Sequence, residues 1–508
     1  MKDVRTETWM LLVVAIAFVA RLYHLDVQSL WFDEIVTVAL AHLSWYNGLV
    51  GLLGQGIQLT PLFHWVIKLW LTVGDSDWLV RAPTMLVGIL TVPIVFKLGQ
   101  FYFGNTVGLL TAFIFAINPY QVWYGQEVKL YTLLVFASSG AILAFGQMLR
   151  SEGRQGVWSM MLFNLLGFTA HYFMFLISTV QFLYLASTIK QTHLVLRRWI
   201  MAQVIPVLAL IPWWLFIIKQ QHFAVGIGWI PRPRWFDPLL TLWNFSFGYT
   251  GELSIITLVS LAVMALGLIM GLGQAWRRPL LGWLMTLWLV FPPAITLLLS
   301  FHRLSFYVDR YLLIISPVST LLIVCGLLSI RPWLLRWGVS LVFVVATLFG
   351  LGNVYFNPVN FNKDDWRTLA RKVDLQAQPG DMVITCTDGY RLAFEYYHPH
   401  HILTLDDVLT ASQISDAVRS THYRAAWVVN LHYRPPVHNL TRDFLPILDT
   451  SLLSPEAAAW EAHNLRDKIT VAGITAYRYD LVDPLPLPEI VTWYCQNDQL
   501  WENREFFP

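Results

Sequence analysis

Charged side chains are scarce in this sequence: Asp, Glu, Lys and Arg make up only 13% of its 508 residues. Ordinary soluble domains carry about a quarter of such residues. Hydrophobic residues make up 56%, including 24 Trp and 31 Phe, and the mean hydropathy is +0.53. This composition excludes an ordinary soluble globular protein. Repeated apolar runs of about 20 residues, each able to cross roughly 30 Å of hydrocarbon, predict a polytopic membrane protein.

Cysteine is also scarce, with three residues in the whole chain. Cys325 lies in an apolar run and is expected to pack there, whereas Cys386 and Cys495 lie in the polar C-terminal part. Three cysteines exclude a disulfide framework. One bridge between Cys386 and Cys495 stays open, on the condition that this part faces an oxidising compartment.

Three further absences restrict the classes of protein to which this sequence can belong. The C-terminal part shows no phosphate-binding glycine loop and no metal-ligand spacing. No internal repeat is visible, which weakens a transporter built from inverted halves. Ionisable residues cluster in loops rather than mid-span, which also disfavours a transporter or lipid flippase.

Eleven apolar runs are predicted to span the membrane. A twelfth, Pro61 to Gly74, has only 14 residues and carries His64 and Lys68, which favours an interfacial or re-entrant helix. Lys2 and Arg5 precede the first run without a small-residue cleavage site after it, as in an uncleaved signal anchor. The predicted spans are 8–25, 79–101, 106–124, 129–149, 156–171, 173–189, 199–218, 253–274, 280–300, 311–330 and 334–355.

The charges of the loops test this count. With eleven spans and a cytoplasmic N-terminus, one side collects twelve cations and three acids, whereas the opposite loops hold nine of each. Counting the run at 61–74 as a span would move the basic pairs Arg197-Arg198 and Arg277-Arg278 to the outside. That arrangement would violate the positive-inside rule. The count of eleven is therefore retained.

This topology places the first loop (about 26–78), the loop near 219–251 and everything after about 357 on the outer face. The region after 357 contains thirteen basic and twenty acidic residues, in keeping with an exported domain. We therefore predict a membrane domain at 1–356 and an exported domain at 357–508. By the family resemblance described below, the expected location is a bacterial plasma membrane with the C-terminal domain in the periplasm.

The C-terminal region has the pattern of a small α/β domain. Helical patterns cover Lys363–Leu375 and Asp406–Ser420 and alternate with runs that resemble strands. The predicted strands are Met382–Thr385, His401–Leu405, Ala425–Leu431 and Ile469–Tyr479.

Two adjacent carboxylates, Asp33 and Glu34, follow the first span among aromatic residues. Neighbouring side chains diverge on a helix or strand, so the pair cannot face each other across a substrate as glycosidase carboxylates do. One can serve as a general base while the other supports it. The alternative is capping, with both acids at the start of a helix at Ile35–Leu43.

The loop between the third and fourth spans contains Glu127, Lys129 and Tyr131. One interpretation is an aromatic belt at the membrane interface, with the lysine side chain extending to the surface. The other is a functional loop, in which Glu127 is a second acid and Lys129 is the cation that binds a phosphate leaving group. Before the tenth span, Arg303 and Arg310 could grip a lipid phosphate, and Asp309 could neutralise one of them.

His171, at the outer end of the fifth span, is a weaker candidate for metal ligation or substrate contact. A lone histidine in such a place is more often structural.

Taken together, these residues resemble the C-type membrane glycosyltransferases that use lipid-linked sugars. The resemblance is to bacterial relatives of the protein O-mannosyltransferases and of the aminoarabinose transferase that modifies lipid A. It covers about 1–330. Five motifs match in order: Trp31-Phe32-Asp33-Glu34, Pro61-Leu62-Phe63-His64-Trp65, Arg81-Ala82-Pro83-Thr84, Pro119 with Gly125-Gln126-Glu127-Val128-Lys129-Leu130-Tyr131, and Arg310-Tyr311-Leu312-Leu313 with Pro317.

The resemblance implies a helical membrane fold, Asp33 as general base, and Glu34 or Glu127 orienting the acceptor. It implies substrate contacts by Arg310 and Lys129, and by further residues of the matched motifs and outer loops: Arg303, Tyr131, His171, Arg81 and Tyr311. Relatives of the lipid A enzyme carry Glu-Lys before the proline of the membrane-lying helix, the Glu binding metal and the Lys binding phosphate. This chain has Leu59-Thr60 there, which leaves open whether a divalent metal is needed.

The predicted reaction is an inverting transfer of a sugar from polyprenyl phosphate to a hydroxyl group of a lipid, glycan or protein. Neither nucleic acid nor a nucleotide is expected to take part. Besides the transporter, the alternative is a polysaccharide polymerase or ligase that uses a diphosphate-linked glycan.

Overall fold

The computed structural model describes residues 2–55, 60–220, 230–248, 255–302, 304–357, 363–378, 381–385, 388–398, 403–405, 424–431, 454–471, 474–481, 487 and 491. They form two compact units: one comprises 1–25 and 40–360, and the other comprises 26–39 and 361–508. A stretch of the first outer loop therefore belongs to the same unit as the C-terminal region. The predicted domain limits of 1–356 and 357–508 stay a prediction.

Helices dominate the first unit. Their bounds are α1 Lys2–Leu22, α2 Phe32–His42 (whose first residues belong to the second unit), α3 Trp45–Gln55, α4 Pro61–Trp70, α5 Asp77–Phe103, α6 Asn105–Ile117, α7 Pro119–Gly125, α8 Tyr131–Arg150, α9 Val157–Phe168, α10 Met174–Ser187, α11 Ile189–Gln220, α12 Asp237–Phe247, α13 Ile255–Trp276, α14 Pro279–Ser300, a 3₁₀ helix Tyr311–Ile315, α15 Ser316–Leu328 and α16 Trp333–Phe356.

Each of the eleven predicted spans coincides with one of these helices or with a pair of consecutive ones. Within the described residues, seven helices are long and apolar enough to cross a membrane, and the bent pair α6–α7 would make eight. Helices α9 and α10 are apolar but shorter. The run at 61–74 forms the ten-residue helix α4. The chain is thus an integral membrane protein with a mostly helical fold, as its composition predicted.

Glycine allows two of these helices to approach closely. Gly267 and Gly271 lie one turn apart on α13, and Gly326 lies opposite them on α15. A Cβ atom at Gly326 would overlap the carbonyl oxygen of Gly267, and one at Gly271 would overlap that of Leu322. Small residues of this kind permit backbone contact between membrane helices, where van der Waals packing replaces the hydrophobic effect. The close crossing of α13 and α15 therefore depends on these glycines.

The break between α6 and α7 positions the loop that carries Glu127. Asn118 and Pro119 interrupt the helix, and the two pieces meet at an angle of 57°. Pro119 has no backbone N–H, and Asn118 caps α7 by accepting a hydrogen bond from the N–H of Gln121 at 3.0 Å. The buried Arg21 of α1 donates to the carbonyl of Ala116 at 3.0 Å. The bend is thus stabilised by polar side chains on both sides.

The second unit contains a five-stranded sheet. Its strands are β1 Asp381–Thr385, β2 Leu403–Leu405, β3 Ala425–Leu431, β4 Leu465–Val471 and β5 Ile474–Asp480, in the order β2-β1-β3-β5-β4. Strand β1 is parallel to β2 and β3, whereas β5 is antiparallel to β3 and β4. The helices of this unit are α17 Trp366–Gln376, α18 Asp388–Tyr397 and α19 Pro455–Asn464.

The sheet confirms the predicted small α/β fold, with two differences. The run Ile469–Tyr479, predicted as one strand, contains parts of two strands, β4 and β5, which pair antiparallel with each other. Helices α18 and α19 were not predicted. The predicted helix Asp406–Ser420 lies outside the described residues, as do Cys386 and Cys495.

Candidate active site

Asp33 and Glu34 lie in the first turn of α2, which begins at Phe32. The Glu34 carboxylate accepts a hydrogen bond from the backbone N–H of Trp31 at 3.3 Å, so it caps the helix from inside the first turn. The helix starts three residues earlier than the capping alternative predicted. The capping contact is nevertheless present and is made by Glu34. The side chain of Asp33 diverges from that of Glu34, and Asp33 is partly exposed.

Glu34 also forms an ion pair with Lys363 of the same unit. The Lys363 Nζ atom lies 3.1 Å from the Glu34 Oε2 atom, and the two side chains are 6% and 0% exposed. A buried carboxylate without a positive partner would be strongly destabilised, and Lys363 provides that partner for Glu34. Glu34 is therefore held by two contacts, and Asp33 is the more accessible acid of the pair.

Asp364, next to Lys363 in sequence, adds a third acidic group near Asp33. Its backbone carbonyl accepts a hydrogen bond from the Ser29 hydroxyl at 2.9 Å. Burial of the carboxyl group, together with the negative charge of Asp33, raises the pKa of Asp364 to about 7. Both causes disfavour the ionised form. The carboxyl group of Asp364 thus loses its proton near neutral pH.

The raised pKa of Asp364 predicts a pH-dependent effect on stability. In the unfolded chain this group loses its proton near 3.8, but in the folded chain only near 7. Its contribution to the free energy of unfolding therefore falls as pH rises from about 4 to 7, by at most about 4 kcal/mol, and is constant above that. We expect Asp364→Asn to raise the midpoint of thermal unfolding at pH 8 relative to wild type, and less so at pH 4.5.

Unfolding of the purified protein in detergent across this pH range measures the effect. A difference between Asp364→Asn and wild type that does not change with pH would contradict the prediction.

A cluster of aromatic and basic side chains occupies the first unit. The Arg310 guanidinium carbon lies 5.8 Å from the centre of the Tyr131 ring and 5.9 Å from that of Tyr311. The Tyr131 and Tyr311 rings are 6.1 Å apart, and His171 lies 4.8 Å from Tyr311. The fold therefore brings together four predicted site residues from three separate segments. A guanidinium over aromatic rings is held by cation–π attraction, and the planar fork of its N–H groups matches the geometry of phosphate and carboxylate anions.

Asp309 precedes Arg310 and was a candidate to neutralise an arginine. One of its carboxylate oxygens accepts a hydrogen bond from the Asn244 side chain at 2.9 Å. The other accepts one from the backbone N–H of Arg310 at 2.8 Å. These contacts fix the backbone at Arg310 at the start of the 3₁₀ helix.

His171 lies in the turn between α9 and α10 and is buried. Its Nδ1 atom accepts a hydrogen bond from the backbone N–H of Phe173 at 3.0 Å. Its Nε2 atom is buried and has no hydrogen-bond partner among the described residues. Because Nδ1 accepts, Nε2 carries the proton of the neutral ring.

Glu127 and Lys129 lie in the loop between α7 and α8, just before Tyr131. Glu127 is buried, whereas Lys129 is partly exposed. The neighbouring Gln126 donates hydrogen bonds to the carbonyls of Arg21 and Tyr23, at 3.0 and 2.6 Å. These bonds anchor the loop to the end of α1.

Arg81 is fully buried and donates to the carbonyl of Leu25 at 2.7 Å. This contact ties α5 to the segment that follows α1, and substrate binding by Arg81 stays a prediction. Arg303 lies outside the described residues.

The metal site known from relatives of the lipid A enzyme has no counterpart in the described residues. No group of three His, Cys, Asp or Glu side chains there is placed to hold a metal ion. Where those relatives carry Lys, the Thr60 hydroxyl donates to the carbonyl of Thr169 at 2.6 Å.

Lys363 and Asp364 were not identified as site residues from the sequence. The only signal was the charged run Lys363-Asp364-Asp365 that follows the last apolar segment, and it was interpreted as the start of a helix. Asp365 does cap α17 by accepting from the N–H of Thr368 at 3.0 Å. The link from Lys363 to Glu34 crosses 329 positions of the sequence and depends on the fold.

Comparison with known proteins agrees with this description. Residues 58–216 match the family model of the dolichyl-phosphate-mannose-protein mannosyltransferases. The structure of ArnT from Cupriavidus metallidurans in the apo state has a TM-score of 0.55 and 13% sequence identity, covering 93% of this chain and 98% of that one. ArnT bound to undecaprenyl phosphate has a TM-score of 0.54 and 15% identity, covering 94% and 98%. No curated protein matches the sequence significantly.

Both kinds of match are to glycosyltransferases, the class of enzyme that the motifs predicted. The chain has the fold of a C-type membrane glycosyltransferase, and the resemblance predicted from its five ordered motifs is confirmed.

Proposed function

We propose that this protein transfers a sugar from a polyprenyl-phosphate-linked donor to a hydroxyl acceptor at the outer face of the membrane, with inversion at the anomeric carbon. The observation that carries the proposal is the family match over 58–216 in a chain with the ArnT fold. One ArnT structure contains bound undecaprenyl phosphate, which supports a lipid phosphate as the carrier of the sugar. The outer face follows from the charges of the loops.

Asp33 is the proposed general base. The acceptor oxygen attacks the anomeric carbon while Asp33 takes its proton, and the bond between that carbon and the phosphate oxygen breaks. The sugar leaves joined to the acceptor, and polyprenyl phosphate is released. Asp33 suits this role because it is partly exposed, whereas the adjacent Glu34 is committed to Lys363 and to the cap of α2. Inversion follows from a single displacement at the anomeric carbon.

Arg310 is the proposed principal contact of the departing phosphate. Its fixed fork of N–H donors fits phosphate oxygens, and preorganised donors of this kind usually provide the largest stabilisation of a transition state. The rings of Tyr131 and Tyr311 hold the guanidinium in place. Lys129 and Arg303 are proposed to contribute further positive charge, and Glu127 to orient the acceptor. The buried Nε2–H of His171 is a further donor in this cluster.

The experiment is to identify the donor lipid that co-purifies with the protein, by mass spectrometry of a gentle detergent extract. A polyprenyl monophosphate that carries one sugar supports the proposal. A polyprenyl diphosphate that carries a glycan would contradict it and favour a polysaccharide polymerase or ligase.

A further inference from the structure

The stretch Asp26–Leu30, which precedes the carboxylate pair, is bound residue by residue by the C-terminal part of its own unit. Arg367 donates to the carbonyls of Asp26 and Val27, at 3.1 and 2.8 Å. At the next position, the side chain of Gln28 accepts a hydrogen bond from the backbone N–H of Lys363 at 3.2 Å. The hydroxyl of Ser29 donates to the carbonyl of Asp364 at 2.9 Å. The backbone N–H of Leu30 donates to the Tyr397 hydroxyl at 2.8 Å.

These contacts continue into the first turn of α2. The Lys363 ammonium group reaches the Glu34 carboxylate at 3.1 Å, and that carboxylate also accepts the N–H of Trp31. Both members of the pair are almost fully buried. Asp33 stands between Trp31 and Glu34 in the same turn. The orientation of the Asp33 side chain therefore depends on the conformation of this turn. The turn contains the buried carboxylate of Glu34, which is paired with Lys363.

We infer that Lys363 is a positioning residue: through its ion pair with Glu34 it fixes the first turn of α2, and with it the carboxylate that removes the acceptor proton. This inference rests on the proposed function, in which Asp33 is the base. It gives the C-terminal region a part in the reaction, because Lys363 acts through its ion pair with Glu34. Misplacement of a catalytic group by about 1 Å can cost roughly 10²-fold in rate.

Four variants and one control test the inference, in a transfer assay with a polyprenyl-phosphate sugar that yields kcat and KM separately. Lys363→Met should lower kcat by about 10- to 100-fold with little change in KM, because orientation matters most in the transition state. Lys363→Arg, which keeps the charge, should recover most of the rate. In a Glu34→Gln background, Lys363→Met should cause little further loss, because the two residues act as one unit.

Arg367→Met is the matched control. It removes hydrogen bonds to Asp26 and Val27, which lie in the same contact region but precede the first turn of α2. It should lower the midpoint of thermal unfolding while kcat stays within about twofold of wild type. Equal losses of kcat in Lys363→Met and Arg367→Met would overturn the inference, as would additive effects of Lys363→Met and Glu34→Gln.

The assay separates this inference from the proposal beneath it. Asp33→Asn is assayed in parallel. If Asp33→Asn is inactive while Lys363→Met behaves like Arg367→Met, only the role of Lys363 is wrong. If Asp33→Asn retains full transfer, the proposed base is wrong, and the role of Lys363 falls with it.

Discussion

Asp33→Asn is expected to lower the rate of sugar transfer by about 10²–10⁴-fold, the usual contribution of a positioned general base. The amide has the size of the carboxylate but cannot accept the acceptor proton. Glu34 cannot replace it, because its carboxylate is buried and paired with Lys363. The rate is measured with a radiolabelled polyprenyl-phosphate sugar in membranes that contain equal amounts of wild type and variant.

Asp26→Asn provides the matched control, since Asp26 is an exposed acid in the same loop, seven positions before Asp33. It should transfer at the wild-type rate. Full transfer by Asp33→Asn, or an equal loss in both variants, would remove Asp33 from the role of base. The thermal midpoint of each variant shows whether a loss of rate reflects unfolding.

Arg310→Gln is expected to lower kcat by about 10²–10³-fold, the effect of removing one preorganised donor from a developing anion. The variant keeps a polar side chain near Tyr131 and Tyr311 but loses the positive charge and the fork of N–H groups. The kcat of Arg310→Lys should lie between those of Arg310→Gln and wild type, because lysine supplies a point charge without the planar fork. Measuring kcat at saturating donor concentration separates this effect from weaker donor binding.

Arg234→Gln is the control for the arginine series. Arg234 is partly exposed and pairs with Asp237 at 3.1 Å, so its loss removes a cation and a surface ion pair worth no more than about 1 kcal/mol. Transfer by Arg234→Gln should match wild type. An Arg310→Gln variant as fast as Arg234→Gln would show that the phosphate is stabilised elsewhere.

The sequence predicted the membrane fold well because its signals are strong and local. Apolar runs of about 20 residues identify membrane helices without any knowledge of their neighbours. The short run at 61–74 was assigned correctly as a helix too short to span, for the same reason. Strands β1 and β3 were predicted from their own side chains, since buried strands consist of continuous apolar residues.

What could not be predicted depends on contacts between distant segments. Whether Glu34 caps a helix or catalyses a reaction depended on the ion pair with Lys363, which no local pattern encodes. The raised pKa of Asp364 likewise depends on burial of its carboxyl group and on Asp33, which lies more than 300 positions away in the sequence. The antiparallel pair β4–β5 resembled one long strand because the sequence from Ile469 to Tyr479 is rich in β-branched and aromatic residues, which favour strands.

The most direct test of the proposed function is the lipid released during transfer by the purified protein. The protein in lipid nanodiscs is supplied with a labelled polyprenyl-phosphate sugar and a mixture of hydroxyl acceptors, and the lipid product is separated by charge. We predict release of polyprenyl monophosphate in a one-to-one ratio with transferred sugar, and its disappearance in Asp33→Asn. Release of polyprenyl diphosphate from a diphosphate-linked glycan, or turnover that is the same in wild type and Asp33→Asn, would contradict the proposal.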